Sequence, residues 1–153
     1  MRVGLVGLGK LGQNICKQLI DNDVEVYSYH TDRPIQDEVY EQGNLTGYVT
    51  SLELLRNKIK FDTNIHISVG EKPGVYILTD NSFDELVLHC DHSDVIIDYT
   101  DHNYGVDRKT YAEKLGVSYI HGGLYGHKYA ILSCQNVLSI LSLNGTRRRG
   151  TQL

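Results

Sequence analysis

With 153 residues, 41% of them hydrophobic and 22% charged, the chain has the size and composition of one globular domain built on a single two-sided core. No apolar run approaches the roughly 20 residues of a membrane-spanning helix, and Val3–Val6 runs straight into glycines, unlike the apolar stretch of a secretory leader. A formal charge of −4 opposes general nucleic-acid binding, which wants a basic face.

Arg2–Val6 is predicted as a short buried strand at the amino terminus. Gly7-Leu-Gly-Lys-Leu-Gly12 follows, and Ile15, Leu19 and Ile20 then keep helical spacing up to Asn22, in a helix that begins near Lys10. Val24–Tyr29 alternates as a second strand. The first forty residues therefore read strand, glycine turn, helix, strand, and a right-handed crossover makes the two strands parallel. Thr31–Gln42 is polar and loop-like, with a helix expected only around Gln36–Gln42. Thr46–Val49 is a short strand, and Ser51 caps a helix carrying Leu54, Leu55 and Ile59 on one face.

Asn64–Val69 alternates as a strand, and Gly70–Gly74 breaks it. Val75–Leu78 is apolar throughout and fits a helix or a strand equally well. Ser82 and Glu85 have capping-box spacing ahead of Leu86 and Leu88. Asp94–Tyr99 is the clearest strand, Tyr104–Leu115 a helix stopped by Gly116, and Val117–Ile120 a strand leading to a turn at His121-Gly-Gly123. Ala130–Cys134 is a further strand, and the apolar Val137–Leu143 ends at Asn144-Gly145. Strands alternating with helices predict a Rossmann-type α/β fold, a doubly wound and mostly parallel sheet with helices on both faces. The domain is expected over residues 1–143, with 144–153 a polar tail whose basic run, Arg147–Arg149, is solvated.

The chemistry gathers at Gly7-x-Gly9-x-x-Gly12. The first glycine permits the turn out of the strand, the second lets backbone approach a pyrophosphate, and the third lets the helix pack closely. The helix beginning near Lys10 then offers free N–H groups and the positive end of its dipole. Gly7, Leu8, Gly9, Lys10, Leu11 and Gly12 are thus the expected phosphate contacts of a dinucleotide cofactor. Its place between strand and helix gives the pattern its specificity.

At the end of the second strand an NAD site usually puts Asp or Glu on the ribose. Here the sequence is Tyr29-His-Thr-Asp-Arg33, with His30 at the acidic position. Thr31 and Arg33 follow and suit a 2′-phosphate, so NADP is favoured over NAD. A small register shift would instead return Asp32 to the ribose, and that alternative stays open. His89-Cys-Asp-His92 has no zinc spacing and reads as a polar helix end, so no metal is expected. Cys16, Cys90 and Cys134 are odd in number and widely spaced, which fits reduced thiols in a cytoplasmic protein. Eleven tyrosines beside no Trp suit wet aromatic contacts and a homo-oligomer face, without locating it.

The opening from Met1 to Asn14, MRVGLVGLGKLGQN, resembles that of the 6-phosphogluconate dehydrogenases and the related 3-hydroxyacid dehydrogenases. The resemblance continues at Ser51–Leu55, Asp94–Asp98, Lys114–Ile120 and His121–Gly123, and reaches about Cys134. It implies a cofactor domain for hydride transfer to or from NADP. The family's Asp-Gly-Gly-Asn-Ser loop is replaced by Asp98-Tyr-Thr-Asp-His102, so Asp101 stands where the resemblance puts an Asn touching cofactor and substrate. His102 takes the Ser position, as an acid or base or as a loop contact to cofactor, and His121-Gly122-Gly123 lacks the serine of the family's substrate loop. The catalytic lysine and helical second domain of the family lie beyond the matching region, and Lys128 comes too early to replace that lysine. Two expectations follow: a cofactor half, completed by a separate chain or a homo-oligomer or else a truncated product, and a non-enzymatic module that senses or sequesters the dinucleotide or uses it structurally.

Overall fold

A computed structural model describes residues 2–61, 73–100 and 105–121. The elements are β1 (Arg2–Val6), α1 (Lys10–Asp21), β2 (Glu25–Tyr29), α2 (Arg33–Glu41), β3 (Gly47–Val49), α3 (Leu52–Lys60), β4 (Val75–Leu78), α4 (Phe83–Leu88), β5 (Val95–Asp98), α5 (Gly105–Lys114) and β6 (Ser118–His121). All six strands are parallel, in the order β3-β2-β1-β4-β5-β6. The register aligns one row across the whole sheet: Val49, Tyr29, Val6, Leu78, Asp98 and His121. That row is the carboxyl edge. The chain changes direction of winding between β1 and β4, and ligands of open α/β sheets bind outside that edge at such a switch point.

Strand alternation divides the core between the two faces. Val3, Leu5, Ile77 and Ile97 pack with Ile15 and Leu19 of α1 on one face. Val6, Tyr76, Leu78 and Ile96 pack with Leu55, Ile59, Phe83, Leu86 and Ala112 on the other. The Val75–Leu78 run is a strand, every residue of it buried. A central parallel strand is covered on both faces, so its residues are all apolar and no period distinguishes it from helix.

Four local expectations are corrected. First, α2 begins at Arg33, ahead of the expected Gln36. The Asp32 carboxylate accepts the Ile35 N–H at 3.4 Å, and Pro34 sits in the first turn, where a missing N–H costs nothing. Second, Ser51 does cap α3, accepting the Leu54 N–H at 3.1 Å, but Leu54 itself is exposed and the buried face is Leu52, Leu55 and Ile59. Third, Ser82 makes no side-chain cap: its N–H donates to Asp80 at 2.9 Å, and Phe83, Leu86 and Val87 fill the core while Leu88 is exposed. Fourth, His121 closes β6 rather than opening the expected turn, and Gly122 and Gly123 lie outside the described residues. The strands expected at Asn64–Val69 and Ala130–Cys134, the loop residues Asp101 and His102, Lys128, and the 144–153 tail lie outside the described residues.

The opposite edge is held by a polar staple. The Lys60 ammonium, at the end of α3, donates to Asp94 at 2.9 and 3.0 Å and to Asp91 at 2.8 Å. Asp94, fully buried, also accepts the N–H groups of Gly74 (2.8 Å) and Asp91 (2.7 Å). Arg56 joins from α3, its Nε 3.0 Å from Asp91. The His89–His92 stretch is the expected polar helix end, and its Asp91 also ties α3 to the start of β5. Among the described residues no group of three or more His, Cys, Asp or Glu is placed to hold a metal, and no helix is long and apolar enough to cross a membrane.

Candidate functional site

Three residues stand side by side just beyond the carboxyl row: His30 after β2, Gly7 after β1 and Thr79 after β4. The Gly7 N–H continues the ladder onto Tyr29 C=O at 3.1 Å, and Gly7 then turns with φ +101°, a conformation glycine adopts without penalty. Gly9 is the N-cap of α1 (φ −68°, ψ −174°) and has no side chain to cap it. The first helical bond runs from Gln13 N–H to Gly9 C=O at 2.9 Å. The amides of Lys10, Leu11 and Gly12 find no acceptor among the described residues, and the first turn carries no acidic side chain. An uncapped helix start at the switch point suits an anion.

The three glycines differ in what surrounds them. A β-carbon on Gly9 would meet nothing within 4 Å, so this residue opens onto free space beyond the sheet edge. One on Gly7 would lie 2.6 Å from Thr79 Oγ1. One on Gly12 would lie 2.1 Å from the Gly7 carbonyl oxygen and 3.0 Å from Thr79 Oγ1. The third glycine thus answers to the turn and Thr79 rather than to a general approach of helix to sheet. A pyrophosphate fits this arrangement: open backbone at Gly9, unshared amides behind it, tight packing on either side. Leu8, expected as a phosphate contact, is buried in the core with its N–H engaged by His30 and its C=O by Gln13, whereas Leu11 packs against the core and offers its backbone amide, and Lys10 is exposed.

His30 Nδ1 accepts the Leu8 N–H at 3.2 Å, which joins the end of β2 to the turn. Thr31, Asp32 and Arg33 are exposed at the same edge. Asp32 has one oxygen on the α2 cap, and Arg33 begins that helix beside the Tyr48 hydroxyl. Tyr48 donates to Asp37, and this bond raises its pKa above 10, against the pull of the Arg33 charge. A shallow pocket of about 280 Å³ opens near Tyr48, Thr50 and Leu54, and no residue of the glycine turn lines it.

Two polar groupings at this edge escaped the sequence reading. Thr79 Oγ1 donates to Gly7 C=O (2.8 Å) and approaches Val6 C=O (3.1 Å), which also takes the Thr79 N–H (2.9 Å). Gln13 Nε2 donates to Leu8 C=O at 2.8 Å. Further along, the buried Asp98 carboxylate accepts Thr100 N–H (2.9 Å), Thr100 Oγ1–H (2.5 Å), Arg108 Nη1 (2.9 Å) and Tyr119 O–H (2.5 Å). Burial, and then the bond to Asp98, pushes the Tyr119 hydroxyl well above its usual range. Arg108 also covers the Phe83 ring at 4.9 Å, and His121 Nε2 donates to Thr100 C=O at 3.3 Å. The end of β5 is thereby fixed at Asp98–Thr100. One available signal was position: Thr79 and Asp98 fall at the ends of apolar strands, where this fold keeps its ligand groups.

Residues 2–135 match the family model of the NAD binding domain of 6-phosphogluconate dehydrogenase. The chain belongs to this family. Among curated relatives, the decarboxylating 6-phosphogluconate dehydrogenase of Aggregatibacter actinomycetemcomitans is 30% identical over 132 residues, 81% of this chain and 26% of that enzyme. The decarboxylating 6-phosphogluconate dehydrogenase 2 of Saccharomyces cerevisiae is 30% identical over 131 residues, covering 81% and 25%. The chain thus spans about a quarter of the length of these relatives. Solved structures share the fold. An imine reductase from Aspergillus terreus in complex with NADPH4 superposes with a TM-score of 0.63 at 14% identity, over 82% of this chain and 42% of that one. A prephenate dehydrogenase from A. aeolicus in complex with hydroxyphenyl propionate and NAD+ gives 0.60 at 14%, over 79% and 40%. The relationship makes this chain a nucleotide-binding Rossmann domain of the kind found in 6-phosphogluconate dehydrogenases.

Proposed function

We propose that the chain holds NADP, with the pyrophosphate over Gly9 at the start of α1, the adenosine ribose at the end of β2, and the nicotinamide toward the ends of β4 and β5. The observation that carries this reading is the open, uncapped start of α1 at the switch point, beside two glycines that the packing requires. NADP over NAD is supported by the end of β2. His30 replaces the usual acid and is engaged by the Leu8 amide, Asp32 serves as a helix cap, and Arg33 is an exposed cation beside them. Thr31 and Arg33 would hold the 2′-phosphate, and Asp101 would contact the cofactor from the loop after β5. When bound, the nicotinamide supplies hydride transfer. The polypeptide's own part is to bind, orient and neutralise the dinucleotide.

We assign turnover of a sugar acid to parts beyond the matched region, because the matched relatives devote most of their length to such parts. Further sequence of the same polypeptide, a separate chain or a second copy would supply the rest of such a site. Cys16 and Cys90 are free thiols, in keeping with a cytoplasmic setting. Amide chemical shifts mapped during NADPH and NADH titrations test the placement. Both cofactors should move Gly9–Gly12, and NADPH alone should strongly move Thr31–Arg33. Changes confined to other surfaces would remove the reading.

A further inference from the structure

We propose that Thr79 and His30 clamp the two ends of one peptide group, Gly7–Leu8, and that this clamp sets the phosphate turn in its binding geometry before any ligand arrives. The binding consequence rests on the cofactor reading above, while the clamp itself rests on contacts within the protein. The Gly7 carbonyl accepts Thr79 Oγ1–H at 2.8 Å, and the Leu8 N–H donates to His30 Nδ1 at 3.2 Å. In a trans peptide these two groups point in opposite directions. They are gripped from opposite sides, by the residues following β4 and β2, the two strands that flank β1. Thr79 is itself located by the sheet, since its N–H continues the β1–β4 ladder onto Val6 C=O.

The next peptide is held as well, because Leu8 C=O accepts Gln13 Nε2 at 2.8 Å. With two successive peptide groups fixed, the Gly9 amide and the first turn of α1 have little freedom left to lose on binding. Such preorganisation raises affinity by lowering the ordering cost. The clamp also explains two of the three motif glycines. The Thr79 hydroxyl oxygen stands 2.6 Å from where a Gly7 β-carbon would be, and the Gly7 carbonyl oxygen, which accepts from that hydroxyl, stands 2.1 Å from where a Gly12 β-carbon would be, so neither position has room for one. Thr79 acts on the phosphate turn through the Gly7–Leu8 peptide and is therefore a positioning residue.

Thr79→Val removes the donor at nearly constant volume, and Thr79→Ser keeps the donor while removing a methyl. In the full chain, Thr79→Val should weaken NADPH and NADH alike by roughly three- to tenfold, the worth of one neutral hydrogen bond. Thr79→Ser should stay within about twofold of the parent. The Gly7 carbonyl ¹³C and Leu8 amide ¹⁵N resonances, read without ligand, should shift in Thr79→Val and return in Thr79→Ser. A role in packing alone predicts the reverse order of the two variants. Parent-like binding by Thr79→Val, equal loss in both variants, or unmoved resonances would overturn the clamp. If the parent binds neither cofactor, the function reading fails and the ligand-free resonances alone judge the clamp. Thr79→Ala provides the same resonance test should the valine variant not fold.

Discussion

Substituting alanine at Gly9 and at Gly12 separates binding from folding within one motif. At Gly9 the added methyl meets no heavy atom within 4 Å, and φ −68° is open to any L-residue. Restricting the unfolded chain favours the alanine variant by about 0.4–1 kcal/mol, and the poorer N-cap propensity of alanine opposes it by a similar amount. The net effect on stability should stay within about 1 kcal/mol, or about 2–4 °C for a domain of this size. The same methyl projects into the space assigned to the pyrophosphate. Pushing the phosphate off one charge-assisted N–H contact costs about 1.5–3 kcal/mol, roughly 10- to 150-fold in Kd. At Gly12 the methyl would stand 2.1 Å from the Gly7 carbonyl oxygen, a backbone atom that cannot swing aside. Overpacking of this kind costs about 1–3 kcal/mol, so Gly12→Ala should lower the melting temperature by several degrees. Circular-dichroism melts with cofactor titrations of both variants make the comparison. Parent-like NADPH affinity in Gly9→Ala, or a larger loss of stability there than in Gly12→Ala, would refute the reasoning.

Three further outcomes are expected. Arg33→Ala should weaken NADPH by roughly ten- to a hundredfold and leave NADH nearly unchanged, whereas equal losses in parallel titrations would return Asp32 to the ribose. Lys60→Met should destabilise the fold by about 3 kcal/mol in urea denaturation, the lower end for a broken buried pair, because Asp94 keeps two backbone N–H donors. Burial pushes the Lys60 ammonium down, but its bonds to Asp91 and Asp94 outweigh that and raise its pKa above 10.5, while Asp91, bonded chiefly to Lys60, is held below 3.8. The stability from Lys60 is therefore present below pH 10.5 and lost as pH rises through its raised pKa, and that from Asp91 is present above 3.8 and lost as pH falls. Lys60→Met should flatten both limbs of the stability–pH curve. Burial pushes the Cys16 thiol far above its usual range, so iodoacetamide at pH 8 should spare Cys16 in the folded protein, and site-resolved mass spectrometry showing rapid labelling would contradict its burial.

Much of this architecture was legible in the order of residues because each local signal agreed with its neighbours. Val3 and Leu5 alternate into one face, GxGxxG stands between strand and helix, and Ser51 punctuates the start of α3. Period failed where burial removes contrast. Val75–Leu78 is covered on both faces, so its residues carry no mark of strand or helix until its neighbours are known. It misled at Leu54 and Leu88, whose apolar side chains face solvent on helices only nine and six residues long. The start of α2 was hidden because Asp32 and Pro34 read as turn residues, although both also suit a helix start. At the site the glycines were visible as a pattern, but the hydroxyl that crowds Gly7 lay 72 residues away at Thr79. The partners of Asp98, Arg108 and Tyr119, belong to different elements and meet only once β5, α5 and β6 are assembled.

The most direct test of the account is an equilibrium titration of the 153-residue chain with NADPH and, in parallel, NADH, followed by nicotinamide fluorescence and calorimetry. Saturable one-to-one binding is expected, tighter for NADPH and competed by NADP+. No oxidation of 6-phosphogluconate should accompany it when the same sample is given that substrate and NADP+. The absence of saturable binding of either nucleotide at millimolar concentration would contradict the central claim, and binding that survives unchanged in Gly9→Ala would place the cofactor elsewhere.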